Sequence, residues 1–448
     1  MPQLPYDIQS AESIFLYSQK LTNKTLGSIT NSYSTADNPI NKGRLGSMVE
    51  EHFFQYKPGA NKDHVPDFSE AGLELKVTGV LKNSKATGSP YKAKERLVLT
   101  MISYFGIVEE TWQTCSLMKK CKLMLILFYL YQKDVPASDL RFVMEPLLWK
   151  FPDADYEIIK KDWEAIQKKI FEGKAHELSE GDTFYLGACR KGAGGTKESL
   201  RKQPFSSELA KARAFALKQS YVNTIISSHA KETGLLNTND DIKNGIEYTT
   251  LDKFKNLYNL SVEEISKIYD FKIKEKAAKN YLADLSLRIL GTKKRNIPEF
   301  EKADIVLKTI RLSPSGMPKE AISFPTFDFI DIVSSNWEDS VFYEKINKKI
   351  FFVVYQYDKN NVLRFKKAIF WNMPYADREE ARIVWERTVE IIKQGDMSQL
   401  PKSSDSNVAH VRPHGKNKAD TLPLPNGGEF TKQCFWLNAK YIAGQLSK

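Results

Sequence analysis

The chain is poor in cysteine and has no long apolar run. Its four cysteines, Cys115, Cys121, Cys189 and Cys434, include no C-x-x-C pair, which argues against a zinc ribbon and fits a reducing compartment. The longest apolar run, residues 123–131, is nine residues and too short to span a bilayer. The first six residues carry no cationic cluster and no apolar stretch follows, so no secretory signal is read. The glycine-rich segment after Arg190 lacks the Walker spacing and is not read as a nucleotide loop. These absences predict a soluble, cytoplasmic, bacterial protein without a membrane partner.

What is present points elsewhere. At 448 residues the chain is too long for one ordinary core, so two or more domains are expected. A hydrophobic share of 42% is enough to fill them. The formal net charge is +11 and the isoelectric point about 9.1, which favours a polyanionic partner, nucleic acid first and an anionic membrane second.

The chain is organised around residues 66–78, P-D-F-S-E-A-G-L-E-L-K-V-T. Leu73, Leu75 and Val77 alternate with Glu74 and Lys76, the period of a strand, so Glu74 and Lys76 share the face opposite the apolar three. Asp67 lies just before the Gly72 turn, and a short bend brings its carboxylate beside Glu74. Paired carboxylates repel, and a divalent cation relieves the repulsion. Mg²⁺ suits a site of few hard oxygens and several waters. Lys76 beside such an ion would position or activate water and offset charge on a phosphate, the chemistry of phosphodiester hydrolysis. The plain alternative for Glu-x-Lys is a solvated face with a weak ion pair.

A coarse reading predicts helix over 7–33, a loop over 34–41 and an amphipathic helix over 42–55. Leu45, Met48, Val49, His52 and Phe53 form that helix's apolar stripe, with Glu50 beside it. A lysine-rich loop (Lys82, Lys85, Lys92, Lys94) follows the strand. Further strands are expected over 97–105, 123–129 and 185–189, with helices over 155–171 and 206–228, the latter basic. Polar residues 233–250 mark a domain boundary, and a helical run over 262–290 opens the second half. The organisation expected is therefore 1–232, a linker at 233–250, and 251–448.

The second half repeats the first. P-E-F-E-K-A-D-I-V-L-K-T parallels P-D-F-S-E-A-G-L-E-L-K-V and puts Lys308 at the place of Lys76. Trp112 and Lys120 recur as Trp337 and Lys345, Trp163 and Gly173 as Trp385 and Gly395, Arg190 as Arg412, and Lys218-Gln219 as Lys432-Gln433. The acids do not recur. Glu74 becomes Val306, Asp67 becomes Glu299, and Leu287 stands where Glu50 does. The first half reads as catalytic and the second as a pseudo-catalytic DNA-binding copy.

K-G-R-L-G-S-M-V-E, then P-D-F-S-E-A-G-L-E-L-K, then a lysine before L-M-L-I-L-F-Y, resembles the MutH family. The resemblance is closer still to the Sau-type restriction endonucleases, through G-K-A-H-E-L-S-E-G-D-T-F-Y-L-G-A-C-R-K-G and H-V-R-P-H-G-K-N-K-A-D. It covers nearly the whole chain apart from the polar middle. It implies an α/β fold of two tandem restriction-endonuclease-like domains, each a mixed sheet flanked by helices, the second lacking catalytic acids. It also implies a Mg²⁺-dependent type II endonuclease that cuts double-stranded DNA at 5′-GATC.

By the same resemblance, Asp67 and Glu74 hold the metal, with the Leu75 carbonyl. Lys76 is the catalytic lysine, and Glu50 is an outer carboxylate or a ligand to a second ion. Lys120 is the second active-site lysine, with Lys119 as the competing choice. Arg190 and Lys191, and in the second copy Arg412 and His414, correspond to the recognition loops, and Lys218 is a further DNA contact. His410 and His414 are spaced like zinc ligands, but Pro413 between them favours a loop touching DNA. One catalytic half must cut two strands, so homodimerisation on DNA or sequential nicking is required. A cognate methyltransferase would act on the same site without binding the chain. The alternatives kept are a mismatch-repair-type nicking enzyme and a non-cleaving DNA-binding protein.

Overall fold

The computed structural model describes residues 4–30, 44–55, 64–84, 89–191, 200–227, 239–272, 280–292, 297–319 and 321–447. The loop expected over 34–41, Lys85 and the glycine-rich segment after Lys191 lie outside them.

The first copy opens with α1 (Ala11–Ser18) and α2 (Leu26–Thr30), two short helices where one long one was expected. Next come α3 (Arg44–Met48) and a π-helical turn, Val49–Phe53. The central sheet is built from β1 (Glu74–Lys82), β2 (Tyr91–Ala93), β4 (Met124–Leu130) and β5 (Leu147–Trp149), in the order β2-β1-β4-β5. β1 and β4 are parallel and the other pairs antiparallel. β3 (Leu97–Met101), α4 (Tyr104–Ile107) and α5 (Ser116–Cys121) lie between β2 and β4. The strand expected over 97–105 therefore stops early, where the Ser103 side chain caps α4.

α6 (Asp153–Phe171) leads to a second sheet, β3-β9-β6, through β6 (Leu186–Arg190), the hairpin β7 (Leu200–Gln203) and β8 (Ser206–Lys211), and β9 (Arg213–Leu217). Only α7 (Gln219–Ser227) remains of the basic helix expected over 206–228. The correction has a plain cause. R-A-F-A-L of β9 is buried on both faces between two strands, and that burial outweighs the helix propensity of its alanines.

α8 (Asn239–Asp252), kinked at Gly245, occupies most of the stretch read as a linker. α9 (Val262–Ile268), α10 (Tyr281–Ile289) and α11 (Pro298–Ala303) follow. β10 (Val306–Leu312), β11 (Ile322–Thr326), α12 (Phe329–Ser334), α13 (Val341–Ile346), β12 (Ile350–Tyr357), β13 (Leu363–Trp371) and α14 (Tyr375–Gln394) repeat the first half's order. β14 (Ala409–Pro413), the hairpin β15 (Thr421–Pro423) and β16 (Glu429–Thr431), β17 (Gln433–Leu437) and α15 (Ala439–Ser447) complete it.

The duplication extends to register. Glu74 opens β1 opposite Met124, and Val306 opens β10 opposite Ile350, each pair parallel. Trp112 packs on Trp163 with ring centroids 5.9 Å apart, and Trp337 on Trp385 at 5.7 Å. One expected match fails. The Lys218 amide donates to Tyr185 and the Asn438 amide to Val408, each just before the last helix of its copy, so Asn438 and not Lys432 stands at the place of Lys218.

The halves share a core. Phe128, Trp163 and Tyr221 of the first are in one apolar cluster with Phe254, Phe300 and Phe351 of the second. Polar ties cross the same boundary: Lys302 to Asp155 at 2.9 Å, Arg378 to the Glu177 carbonyl at 2.8 Å, and Arg190 and Lys211 to Glu338.

Candidate active site

Gly72, at φ +63°, lets the chain turn back on itself, so that Phe68 and Leu73 exchange backbone hydrogen bonds of 2.9 and 3.1 Å. That turn folds Asp67 over the start of β1. The Leu75 amide donates to Asp67 Oδ2 at 3.0 Å, and the Asp67 amide donates to Glu74 Oε2 at 3.2 Å. The two acids are thus braced through each other's backbone.

Glu74 is 2% exposed. Lys76, on the same strand face, donates to Glu74 Oε1 at 2.7 Å and to the Leu99 carbonyl of β3 at 2.8 Å. Lys120, from α5, lies 3.5 Å from the same Glu74 oxygen, while Lys119 is exposed. The register left open between these lysines is settled for proximity: Lys120 faces the acids.

Burial pushes the Glu74 carboxyl above its ordinary range, with Asp67 adding to the rise and Lys76 and Lys120 opposing it. Burial likewise raises Glu50 to about 7, reinforced by Asp67 and Glu74 and opposed by Lys120, so Glu50 faces the same cluster. Burial works against the charge on Lys76, but the acids Glu74 and Asp67 oppose that effect, and its pKa is raised. Cys121 is itself pushed up to about 12 by burial and stays a thiol.

Among the described residues, no three His, Cys, Asp or Glu side chains gather closely enough to hold a metal ion by themselves. The donor chemistry nonetheless suits a hard divalent cation. Two carboxylates and a strand backbone face one another, and a cation would offset both the burial that raises Glu50 and Glu74 and the repulsion that neighbouring acids add. The Leu99 carbonyl, which anchors Lys76, was missed in the sequence because a backbone acceptor leaves no side-chain signal. His52, expected on the apolar stripe, is exposed, and Phe54 is buried instead, because the π turn shifts the helical phase.

The residues expected to touch DNA separate into three groups. Arg412 and His414 are exposed and flank Trp436, the guanidinium 5.1 Å and the imidazole 5.4 Å from its ring. Lys191, partly exposed, follows β6, its backbone amide donating to the Ala212 carbonyl at 2.8 Å. Arg190 is ion-paired with Glu338 and, at 3.9 Å, Asp339. Lys218 is buried, donating to the Thr183 and Ala303 carbonyls at 2.8 and 3.2 Å. From there its ammonium reaches no phosphate, and its place among the DNA contacts is withdrawn. His410 is buried against Asn438 Oδ1 at 2.5 Å, away from the exposed His414.

In the second copy, Val306 and Leu287, at the places of Glu74 and Glu50, line a cleft of about 820 Å³ between the halves, with Tyr91 and Asn223 of the first copy on its other side. Lys308, at the place of Lys76, has its pKa lowered by burial.

A family profile described as DNA mismatch repair enzyme MutH matches residues 54–162 and 290–384, one segment in each half. A Staphylococcus aureus protein named Type II restriction enzyme Sau3AI is 34% identical over 462 aligned residues, covering 90% of this chain and 92% of that one. The DNA mismatch repair protein MutH of Shewanella woodyi is 26% identical over 227 residues, 50% of this chain and 94% of its own. That of Serratia proteamaculans is 24% identical over 233 residues. A MutH-length protein thus spans half of this chain, in agreement with the internal duplication.

Proposed function

The chain belongs to the family of the type II restriction enzyme Sau3AI, and from that premise we propose that it is a Mg²⁺-dependent restriction endonuclease hydrolysing both strands of double-stranded DNA at 5′-GATC. Membership makes it a site-specific deoxyribonuclease with two MutH-like domains. The metal, the recognition sequence and the residue roles are the proposal. The observation that carries it is the convergence of Lys76 and Lys120 on Glu74, beside Asp67 and Glu50, in a copy whose duplicate carries Val306 and Leu287 instead.

Asp67 and Glu74, with the Leu75 carbonyl, would hold the ion, which when bound supplies a Lewis acid and acidifies water at neutral pH. Lys76, fixed between Glu74 and the Leu99 carbonyl, would position or activate a nucleophilic water and offset charge on the phosphate. Lys120 restrains Glu74. Glu50, on the π-helical turn, would be an outer carboxylate or a ligand to a second ion. Arg412 and His414 beside Trp436, with Lys191, are the offered DNA contacts. No helix of the described residues is long and apolar enough to cross a membrane, and a cytoplasmic setting follows from a DNA substrate.

A nicking reading is favoured by one observation, the single acid set among the described residues. One set cuts two strands only as a homodimer on DNA or by two successive nicks. Plasmid carrying GATC, unmethylated or methylated on adenine or cytosine, separates these readings. Linear product mapping to GATC supports restriction, open circles alone support nicking, and binding without any cut in Mg²⁺ rejects both.

A further inference from the structure

The helix that carries Glu50 ends in an unusual way. The Val49 carbonyl accepts from the Phe54 amide, five residues on, at 3.0 Å. In the second copy the Ser286 carbonyl, at the place of Val49, accepts from Leu290, four residues on, at 3.1 Å. The acid-bearing copy is therefore π-helical at this turn where the second copy is α-helical, and among the described residues no other π-helical segment occurs. A π-helical turn is rare and is found frequently at functional sites.

Two tyrosines from the N-terminal segment close it. A helix end leaves its last carbonyls without helical partners. The Tyr6 hydroxyl donates to the Phe54 carbonyl at 2.6 Å, and the Tyr17 hydroxyl to the Phe53 carbonyl at 3.4 Å. Their rings are also in place: Tyr17 stacks on Phe53 at 4.7 Å, and Tyr6 meets Phe54 edge-on at 5.7 Å. Tyr6 reaches Phe68 edge-on at 6.2 Å, and Phe54 meets Phe68 at 5.1 Å. Phe68 is the residue after Asp67. One aromatic cluster thus touches both the Glu50 turn and the Asp67 turn, which join the site from separate stretches of chain.

We propose that Tyr6 and Tyr17 are positioning residues for the catalytic carboxylates: their hydroxyls hold the open end of the π turn, and their rings tie that turn to the Asp67 loop. The proposal rests on the reading of Glu50 and Asp67 as catalytic acids. Neither tyrosine touches substrate. Each acts through the backbone on which Glu50 stands. The shorter bond makes Tyr6 the stronger of the two.

The test uses the full chain with Tyr6→Phe, Tyr17→Phe, Glu50→Gln and the Tyr6→Phe/Glu50→Gln pair, cutting GATC plasmid in Mg²⁺. Removing a group that orients a ligating side chain typically costs about 10- to 100-fold. Tyr6→Phe is expected to lower kcat by that amount, with KM and metal-free DNA binding within about twofold. Amide exchange at Phe54 in metal-free protein should quicken. In the Glu50→Gln background, Tyr6→Phe should change kcat by less than about twofold, because its effect passes through Glu50. Wild-type kcat in Tyr6→Phe, or a full multiplicative loss in the pair, overturns the proposal. A Glu50→Gln enzyme that cuts normally removes the role of Glu50 instead. The proposal then falls with that reading, an outcome told apart from its own failure, in which Glu50→Gln cuts poorly and Tyr6→Phe cuts at the wild-type rate.

Discussion

Lys76 donates to Glu74 Oε1 at 2.7 Å from two residues along the same strand. Strand geometry puts i and i+2 on one face, so the contact is built into the local spacing. The Leu99 carbonyl takes a second N–H and fixes the ammonium between two acceptors. Lys76→Ala removes the nearer of the two ammonium groups beside the buried carboxylate. Cleavage of GATC plasmid should fall by about 10³-fold or more while metal-free DNA binding changes by less than about fivefold. Wild-type cutting by this variant would reject the catalytic assignment.

Lys119 and Lys120 are adjacent, yet only Lys120 faces the acids, at 3.5 Å from Glu74. Lys120→Ala should lower kcat by about 10²-fold, whereas Lys119→Ala should stay within about twofold of wild type. Equal losses in both variants would show that general positive charge, not the position of one ammonium, supports the reaction.

The central strand and its Glu74–Lys76 face were legible because alternation over a buried strand is a strong local signal. The tryptophan pairs and the paired strand registers bear out the repeat for the same reason, since bulky residues mark a core wherever they recur. The basic helix expected over 206–228 failed because β9 pairs with strands distant in sequence, β3 and β6, while β8 folds back on β7 as a hairpin. Lys218 shows the limit for single residues. A lysine in an expected basic helix reads as surface charge, but Lys218 is buried with its ammonium on one carbonyl from each copy, Thr183 and Ala303. The π turn at Glu50 also escaped detection, since one extra residue in a helical turn leaves the apolar pattern nearly intact.

Lys308 tests the inert copy. It holds the register of Lys76, but with Val306 in the place of a carboxylate burial lowers its pKa, where that of Lys76 is raised. An ammonium with no acid beside it does no work for cleavage. Lys308→Met should keep kcat within about twofold, and its thermal midpoint should not fall, since the substitution removes a desolvated charge and keeps the volume. A loss of cleavage comparable to that of Lys76→Ala would mean that the second copy takes part in the chemistry.

Lys218 makes stability depend on pH in a defined direction. Burial lowers its pKa to about 8, with Asp162 opposing the shift. Between about 8 and the ordinary lysine value near 10.4, the unfolded chain holds a proton on this group that the folded chain has released, so stability rises with pH across that window. Below it both states are protonated, and the full cost of burying the ammonium remains. Lys218→Met carries no such titration, and comparing the two proteins cancels the titrating groups that do not interact with Lys218. The wild type should therefore gain on Lys218→Met by about 3 kcal/mol from pH 8 to 10.5, measured by urea unfolding at stepped pH. A difference that stays flat over this range would show that the amine keeps its proton in the fold, held by the Thr183 and Ala303 carbonyls that its N–H groups reach.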